Sequence, residues 1–221
     1  MLLITISSLS IAQIQTIKDL TDFDQPSDER AGYYYKDLNG ILTPFLGTWE
    51  YHMPNSNQVF RIHLKKQKIT HDNLDYSEDE IRGYYEMLNI DPNTGVETIV
   101  YTSNKNMAGT TLPWVSDDGY FAPIMITKHG ISCTSPEHLY KIGGKFHEVC
   151  QDSYEESEGY FILGYRGVVE ITINTDKGAI GSTASWQIRH RARDTKMFGL
   201  IDATFKVPTE ISNFVKTSLD Y

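Results

Sequence analysis

Basic residues are in short supply in this chain, which has 20 Lys and Arg against 29 Asp and Glu among its 221 residues. The formal net charge is -9. This average charge would repel a phosphate backbone, so nucleic acid is not expected as a partner. The same repulsion argues against a peripheral role on an anionic membrane surface.

Long apolar runs are also missing. The uncharged, mostly apolar stretch at residues 1–12 is too short to span a bilayer, so no integral membrane span is expected. Ser10 and Ala12 fit the small-x-small pattern that precedes signal-peptide cleavage, here before Gln13. We therefore predict a signal-peptide-like segment and a periplasmic or secreted location. The alternative is that residues 1–12 form a buried first strand.

Cysteine is limited to Cys133 and Cys150, with sixteen residues between them. Spacing alone shows no bridge, and two buried free thiols are one alternative. Export would favour a disulfide between Cys133 and Cys150. Closing that loop would then contribute about 3 kcal/mol of stability.

Residue types that ligate metals gather near these cysteines, at His129, His138 and His147, but their spacing is poor. On a strand, His147 and Cys150 would point to opposite faces and would not hold one ion. The acidic loop 152–158 lacks the alternating spacing and central glycine of an EF-hand loop. No metal and no cofactor is therefore predicted.

Motifs for nucleophilic catalysis are absent as well. The chain has no Gly-x-Ser-x-Gly, no papain-type cysteine context, no class A β-lactamase set and no phosphate-cradling glycine loop. We therefore predict that it is not an enzyme. A hydrolase with dispersed carboxylates on strands, such as Glu50, Glu86 and Glu170, ranks last among the hypotheses.

Strand-forming patterns dominate what is present. The chain contains 14 Tyr, 9 Phe and 3 Trp residues and is therefore rich in aromatic residues that favour strands. Residues 58–66 alternate, with Phe60, Ile62 and Leu64 on one face. Such strands, joined by turns at short intervals, predict an all-β fold, either an antiparallel barrel or a sandwich.

The chain divides into three parts on composition. Residues 1–12 are the signal-like segment, residues 13–31 are predicted to be a solvated acidic linker, and residues 32–221 form a single β domain. Helical spacing predicts a short helical turn within 34–42 and a short C-terminal helix at 209–219.

The first strand begins with Phe45-x-Gly47-x-Trp49, where Gly47 permits a close backbone approach and Trp49 plugs one end of a barrel. This stretch resembles the G-x-W signature of the calycin superfamily, which includes lipocalins and fatty-acid-binding proteins. The wider pattern adds Tyr34-Tyr35-Lys36-Asp37, Phe60 to Lys66 and Val207-Pro208-Thr209. It resembles an uncharacterised family of lipocalin-like secreted proteins of Bacteroidetes-type bacteria, a domain of unknown function. The resemblance implies a single antiparallel up-and-down β-barrel.

In lipocalins, an Arg or Lys from a late strand packs over the motif tryptophan. Strand alternation places Trp186 and Ile188 on the predicted core face and Arg189 and Arg191 on the opposite face. An arginine of this strand near the barrel rim is the expected cation–π partner of Trp49. Binding of a fatty-acid carboxylate by Arg189 or Arg191 is a sharper alternative, and solvated strand arginines are the simpler one.

The Gly47-x-Trp49 entry, the alternating strands and the aromatic content favour an exported, monomeric protein of calycin type that binds a small apolar or amphipathic ligand without catalysis. The candidate interior residues share inward-facing strand positions and are Trp49, Tyr51, Met53, Phe60, Ile62, Leu64, Tyr85, Met87, Trp186 and Ile188. The alternative is a non-enzymatic surface or interaction module that acts through its loops. The main one would be the long, mostly irregular segment 104–122, which we call the excursion.

Overall fold

One curled β-sheet contains the eleven strands of the computed structural model, which describes residues 15–23, 29–103, 124–126, 141–147, 166–174, 178–190 and 207–219. The strands are β1 (Thr16–Asp19), β2 (Tyr33–Lys36), β3 (Gly47–His52), β4 (Gln58–His71), β5 (Tyr76–Ile90), β6 (Glu97–Thr102), β7 (Ile124–Ile126), β8 (Lys141–His147), β9 (Arg166–Ile173), β10 (Thr183–His190) and β11 (Glu210–Ser218). Short 3-10 turns lie at Leu20–Asp22, Thr43–Phe45 and Asp72–Leu74. The predicted all-β class is confirmed.

The longest element is the hairpin of β4 and β5, which pair antiparallel along the whole of β4. Its inner face carries Phe60, Ile62 and Leu64, all fully buried, as the alternation predicts. The polar composition of residues 70–80 predicts a loop, and this expectation is wrong, because only the turn at 72–75 separates the two strands. Cross-strand contacts pair Thr70 with Ser77 and His71 with Glu78, so the sheet continues through a polar sequence.

Strand β5 organises the curl of the sheet. Its first edge pairs with β4, and its second edge is shared by β2, β7 and β6 in turn. From β5 the antiparallel pairings run through β4, β3, β11, β10, β9 and β8 to β7, which pairs back to β5 over three residue pairs. These pairings curl the sheet into a half-barrel.

Two strands depart from the predicted up-and-down topology. Strand β1 pairs parallel with β2, and β2 pairs parallel with β5, so the sheet is mixed. The helical turn predicted within 34–42 is also wrong in its first half, because Tyr33–Lys36 is β2. A 3-10 turn follows at Thr43–Phe45, where Pro44 lies in the first turn and so removes no helical hydrogen bond.

The segment predicted as a solvated linker, 13–31, is partly built into the core. Leu20 and Phe23 are fully buried, and the Phe23 ring meets Tyr35 edge-on at 4.9 Å and Tyr76 at 5.7 Å. The acidic composition predicted a solvated linker, but Asp19 has a structural role. It caps the 3-10 turn, and its side chain accepts a hydrogen bond from the Thr21 backbone nitrogen.

The C-terminal helix predicted at 209–219 is wrong, because these residues form β11, between β10 and β3. The register of β11 against β10 shifts before Trp186, as in a β-bulge. The shift puts Ile211 and Phe214, three residues apart, on the buried face. This spacing imitates the period of a helix.

Several predicted features fall outside the described residues. They are the signal-like segment 1–12, the excursion 104–122, Cys133, Cys150, His129, His138, Arg191 and the acidic loop 152–158. The described residues contain no helix long and apolar enough to cross a membrane.

Gly47 begins β3 where the backbone of β11 passes very close. Its φ is 111°, and a Cβ at this position would overlap the backbone oxygen of Ser218. Only glycine meets both demands, the left-handed conformation and the close approach. The close backbone approach predicted at Gly47 is therefore present.

We expect the Gly47→Ala substitution to lower the free energy of unfolding by about 3 kcal/mol or more, because strain and overlap add. Gly95 is the matched control, with φ 71° and nothing within 4 Å of an added Cβ. Gly95→Ala should cost only about 1–2 kcal/mol. Chemical denaturation measures both losses, and equal losses would contradict the role of the contact with β11.

Candidate functional site

Trp49 lies at one end of the half-barrel interior, fully buried on β3. Its indole Nε1 donates a hydrogen bond to the backbone oxygen of Phe45 at 2.9 Å. Its ring lies 6.3 Å from that of Phe214 on β11. The 3-10 turn that ends at Phe45 therefore fixes the orientation of the indole, and Gly47 lets β11 approach it.

A lysine covers this indole. The Nζ of Lys216 on β11 lies 5.4 Å from the centroid of the Trp49 ring, within cation–π range. The same ammonium donates to the backbone oxygens of Gly178 at 2.6 Å and Pro44 at 3.2 Å. Lys216 is only 1% exposed, and its burial lowers its pKa to about 8. These contacts hold β3, β11, the turn at Pro44 and the segment at Gly178 together around the ammonium.

The expected cation was an arginine of β10, and the structure places a lysine of β11 there instead. Arg189 is exposed on the outer face, where its guanidinium donates to the Gln187 side chain at 2.6 and 3.0 Å. Trp186 and Ile188 face inward and are buried. Arg189 is therefore not brought to the interior, and Arg191 lies outside the described residues.

A cluster of aromatic rings packs in the interior next to Trp49. Phe60 stacks on Phe214 at 5.9 Å, and Trp186 meets both rings edge-on at 5.8 and 5.9 Å. The indole Nε1 of Trp186 donates to the backbone oxygen of Pro208 at 3.0 Å, so its buried polar atom is satisfied. Tyr85 lies 6.0 Å from Phe60. Each pair has a geometry that favours aromatic contact.

A less buried layer borders these rings. Tyr51, Phe60, Met87 and Tyr101 are neighbours in register across β3, β4, β5 and β6. Of these, only Phe60 is fully buried; Tyr51, Met87 and Tyr101 are partly exposed and pack against the core. We call these three side chains, with the partly buried Met53, the rim residues. The rim combines thioethers with phenol groups, and the Tyr85 and Tyr101 hydroxyls lie 3.4 Å apart.

The candidate interior residues from the sequence thus share one face of the sheet. Those in the core or packed against it are Trp49, Tyr51, Phe60, Ile62, Leu64, Tyr85, Met87, Trp186 and Ile188. Sequence reasoning missed Phe214, Lys216 and Tyr101. The aromatic and β-branched residues of 210–218 carried the missed signal, because they favour a strand over a helix.

The three strand carboxylates considered for hydrolysis each pair with a basic side chain on a neighbouring strand. The pairs are Glu50 with Arg61 at 2.6 Å, Glu86 with His63 at 3.3 Å and Glu170 with Lys141 at 2.9 Å. Glu50 and Glu86 lie two strands apart, with Arg61 between them in register. This arrangement is that of cross-strand ion pairs on an outer face.

The lowered pKa of Lys216 predicts a pH dependence of stability. Between about pH 8 and pH 10.5 the unfolded chain binds a proton at this lysine that the folded chain has lost. The free energy of unfolding should therefore rise with pH in this window, by a contribution that the Lys216→Met variant lacks.

Denaturant titrations at about pH 7.5 and about pH 9.5 test this, below the range where tyrosines ionise. The Lys36→Met variant changes an exposed lysine and should follow the wild type. A difference between wild type and Lys216→Met that stays constant across the two pH values would contradict the lowered pKa.

Comparison with known proteins gives a family and no characterised relative. A model described as a family of unknown function (DUF6705) matches residues 1–113, which is half of the chain. No curated protein and no solved structure matches the chain. The match covers Gly47, Trp49 and the β4–β5 hairpin, and it ends before β11. The chain belongs to this family of unknown function.

Proposed function

We propose that this protein is an exported, monomeric, lipocalin-like binding protein that holds a small apolar or amphipathic molecule and catalyses no reaction. The observation that carries the proposal is the change in burial along the inner face of the half-barrel. Trp49 and Lys216 are fully buried, whereas the rim residues remain partly exposed. Small-molecule sites in β-barrels occur at their mouths, and a partly exposed apolar layer over a packed interior suits such a site.

The buried contact of Trp49 with Lys216 supports the calycin-type interpretation. A glycine two residues before a buried tryptophan, with a cation from a late strand over the indole, is the arrangement that the lipocalin resemblance implies. The strands from β3 to β5 and from β7 to β11 also follow one another antiparallel around the curl. The parallel strands β1 and β2 are an addition to that plan.

The rim is the proposed contact surface for the ligand, because the rings of Phe60, Trp186 and Phe214 pack against one another beneath it. Met87 offers a flexible, polarizable side chain that adapts to irregular ligands. Tyr51 and Tyr101 each combine an apolar ring with a hydroxyl, which suits an amphipathic molecule. A ligand seated here would cover the partly exposed side chains and rest on Phe60.

We expect the Met87→Trp substitution to weaken binding of a lipid-like fluorescent dye by about tenfold or more, because the larger ring occupies the rim. Val100 on β6 is 54% exposed, so Val100→Trp adds the same ring to the outer surface and serves as the control. Titration of an anilinonaphthalene dye into each folded variant gives the affinities. A wild type without dye binding, or equal affinities for all three proteins, would contradict a site at the rim.

Native mass spectrometry provides a second measurement on protein purified from its own host. A co-purifying mass that disappears in Met87→Trp and persists in Val100→Trp would identify the natural ligand with the rim. A ligand lost equally from both variants would place it elsewhere.

A surface interaction role is the second candidate, and a patch next to the rim favours it. Val96, Ile99 and Val100 are 60%, 50% and 54% exposed, at or just before β6. Neighbouring exposed apolar side chains are a feature of interaction surfaces. A stable partner in pull-down that is lost on Val100→Asp and kept on Met87→Trp would favour this second function.

A further inference from the structure

A cluster of polar side chains lies at the turn end of the β4–β5 hairpin, outside the interior. It consists of His71 on β4 and Glu78 and Glu80 on β5, and we call it the hairpin-tip cluster. One ligating atom from each residue lies within 4.8 Å of the other two. The His71 Nε2 lies 3.0 Å from the Glu78 Oε1, and the imidazole stacks on the Tyr76 ring at 4.5 Å. The polar composition of residues 70–80 is typical of a loop and does not indicate that these three side chains meet.

Glu78 leaves one oxygen without a partner. The residue is only 2% exposed, and its buried Oε2 makes no hydrogen bond within the described part of the chain. Strand alternation and the 4.8 Å separations place this carboxylate in the cluster. Gln67 lies opposite Glu80 in the register, and its Oε1 is buried without a hydrogen-bond partner as well. A buried, unpartnered carboxylate oxygen is costly unless a cation or a donor meets it.

The local charge also favours a cation. Glu78 and Glu80 are each 2% exposed, and the buried guanidinium of Arg82 lies 2.5 Å from the Glu80 Oε2. Arg82 therefore offsets one carboxylate. His71 offsets the other only when its imidazole is protonated, whereas a neutral imidazole is a metal ligand.

We propose that the hairpin-tip cluster binds one divalent transition-metal cation of the zinc class through His71, Glu78 and Glu80. An imidazole nitrogen with two carboxylates suits such ions, with bonds of about 2.0–2.2 Å. Tetrahedral ligands at that distance lie about 3.3–3.6 Å apart, so the His71–Glu78 separation of 3.0 Å needs little adjustment. The ion pair with Arg82 orients the Glu80 carboxylate, as outer partners of metal ligands do. This site does not depend on the proposed function of the interior.

Zinc titration of the full chain, followed by calorimetry, tests the site. We expect one Zn²⁺ per chain, and a loss of affinity of about tenfold or more in His71→Ala and in Glu78→Gln. The second variant keeps the shape of the side chain, so it decides the matter if His71→Ala does not fold. Thermal melts should show a rise in Tm with Zn²⁺ for the wild type that Glu78→Gln lacks.

His63 provides a matched control on the same two strands. It lies 3.3 Å from Glu86 and stacks on Tyr84 at 4.4 Å, as His71 does with Glu78 and Tyr76, but the described residues supply no third ligand there. His63→Ala should leave the affinity unchanged. A Cys133→Ser/Cys150→Ser variant should also retain it, which separates this site from thiolate ligation.

Four results would overturn the proposal. They are a wild type that binds no Zn²⁺, a Glu78→Gln variant that binds like the wild type, an equal loss in His63→Ala, or a loss in the cysteine variant. In each case the hairpin-tip cluster would be an ion-pair network and not a metal site.

Discussion

The ammonium of Lys216, enclosed by an indole and two carbonyl oxygens, is the contact on which the closure of the half-barrel depends. Removing a charge from water costs several kcal/mol unless well-placed partners replace the solvent. Here the partners come from distant parts of the chain: Trp49 on β3, the turn at Pro44 and the start of the segment before β10 at Gly178. The lysine therefore specifies how these segments meet, and its lowered pKa reports the cost.

This contact also sets the register of β11. Lys216 lies opposite Trp49, and a slip of one residue would turn the ammonium to the outer face and Thr217 toward the indole. Next to it, the register against β3 shifts between Lys216 and Ser218, where Gly47 makes room for the passing backbone. Glycine, tryptophan and lysine thus act as one unit, although the family match includes only the first two.

Strand alternation allowed much of the inner face to be predicted. Phe60, Ile62 and Leu64 repeat every second residue, and a single rule assigns them to the core. The rule fails where a bulge intervenes, so β11 looked like a helix from Ile211 and Phe214. It fails also where buried charges pair with one another, since Glu78 and Glu80 on β5 have the composition of a loop and Glu80 pairs with Arg82. The parallel pairing of β1 and β2 accompanies a long-range contact of Phe23 with Tyr76 that no local pattern shows.

The position of β11 between β3 and β10 has a consequence for synthesis of the protein on the ribosome. Strand β3 emerges early, yet one of its edges gains a partner only when the last described strand has been made. Until then the nascent chain presents unpaired backbone groups on both β3 and β10, which invite pairing with other chains. Long-range closure of this kind is slow. The edges of β3 and β10 therefore stay open to pairing with other chains until β11 has docked between them.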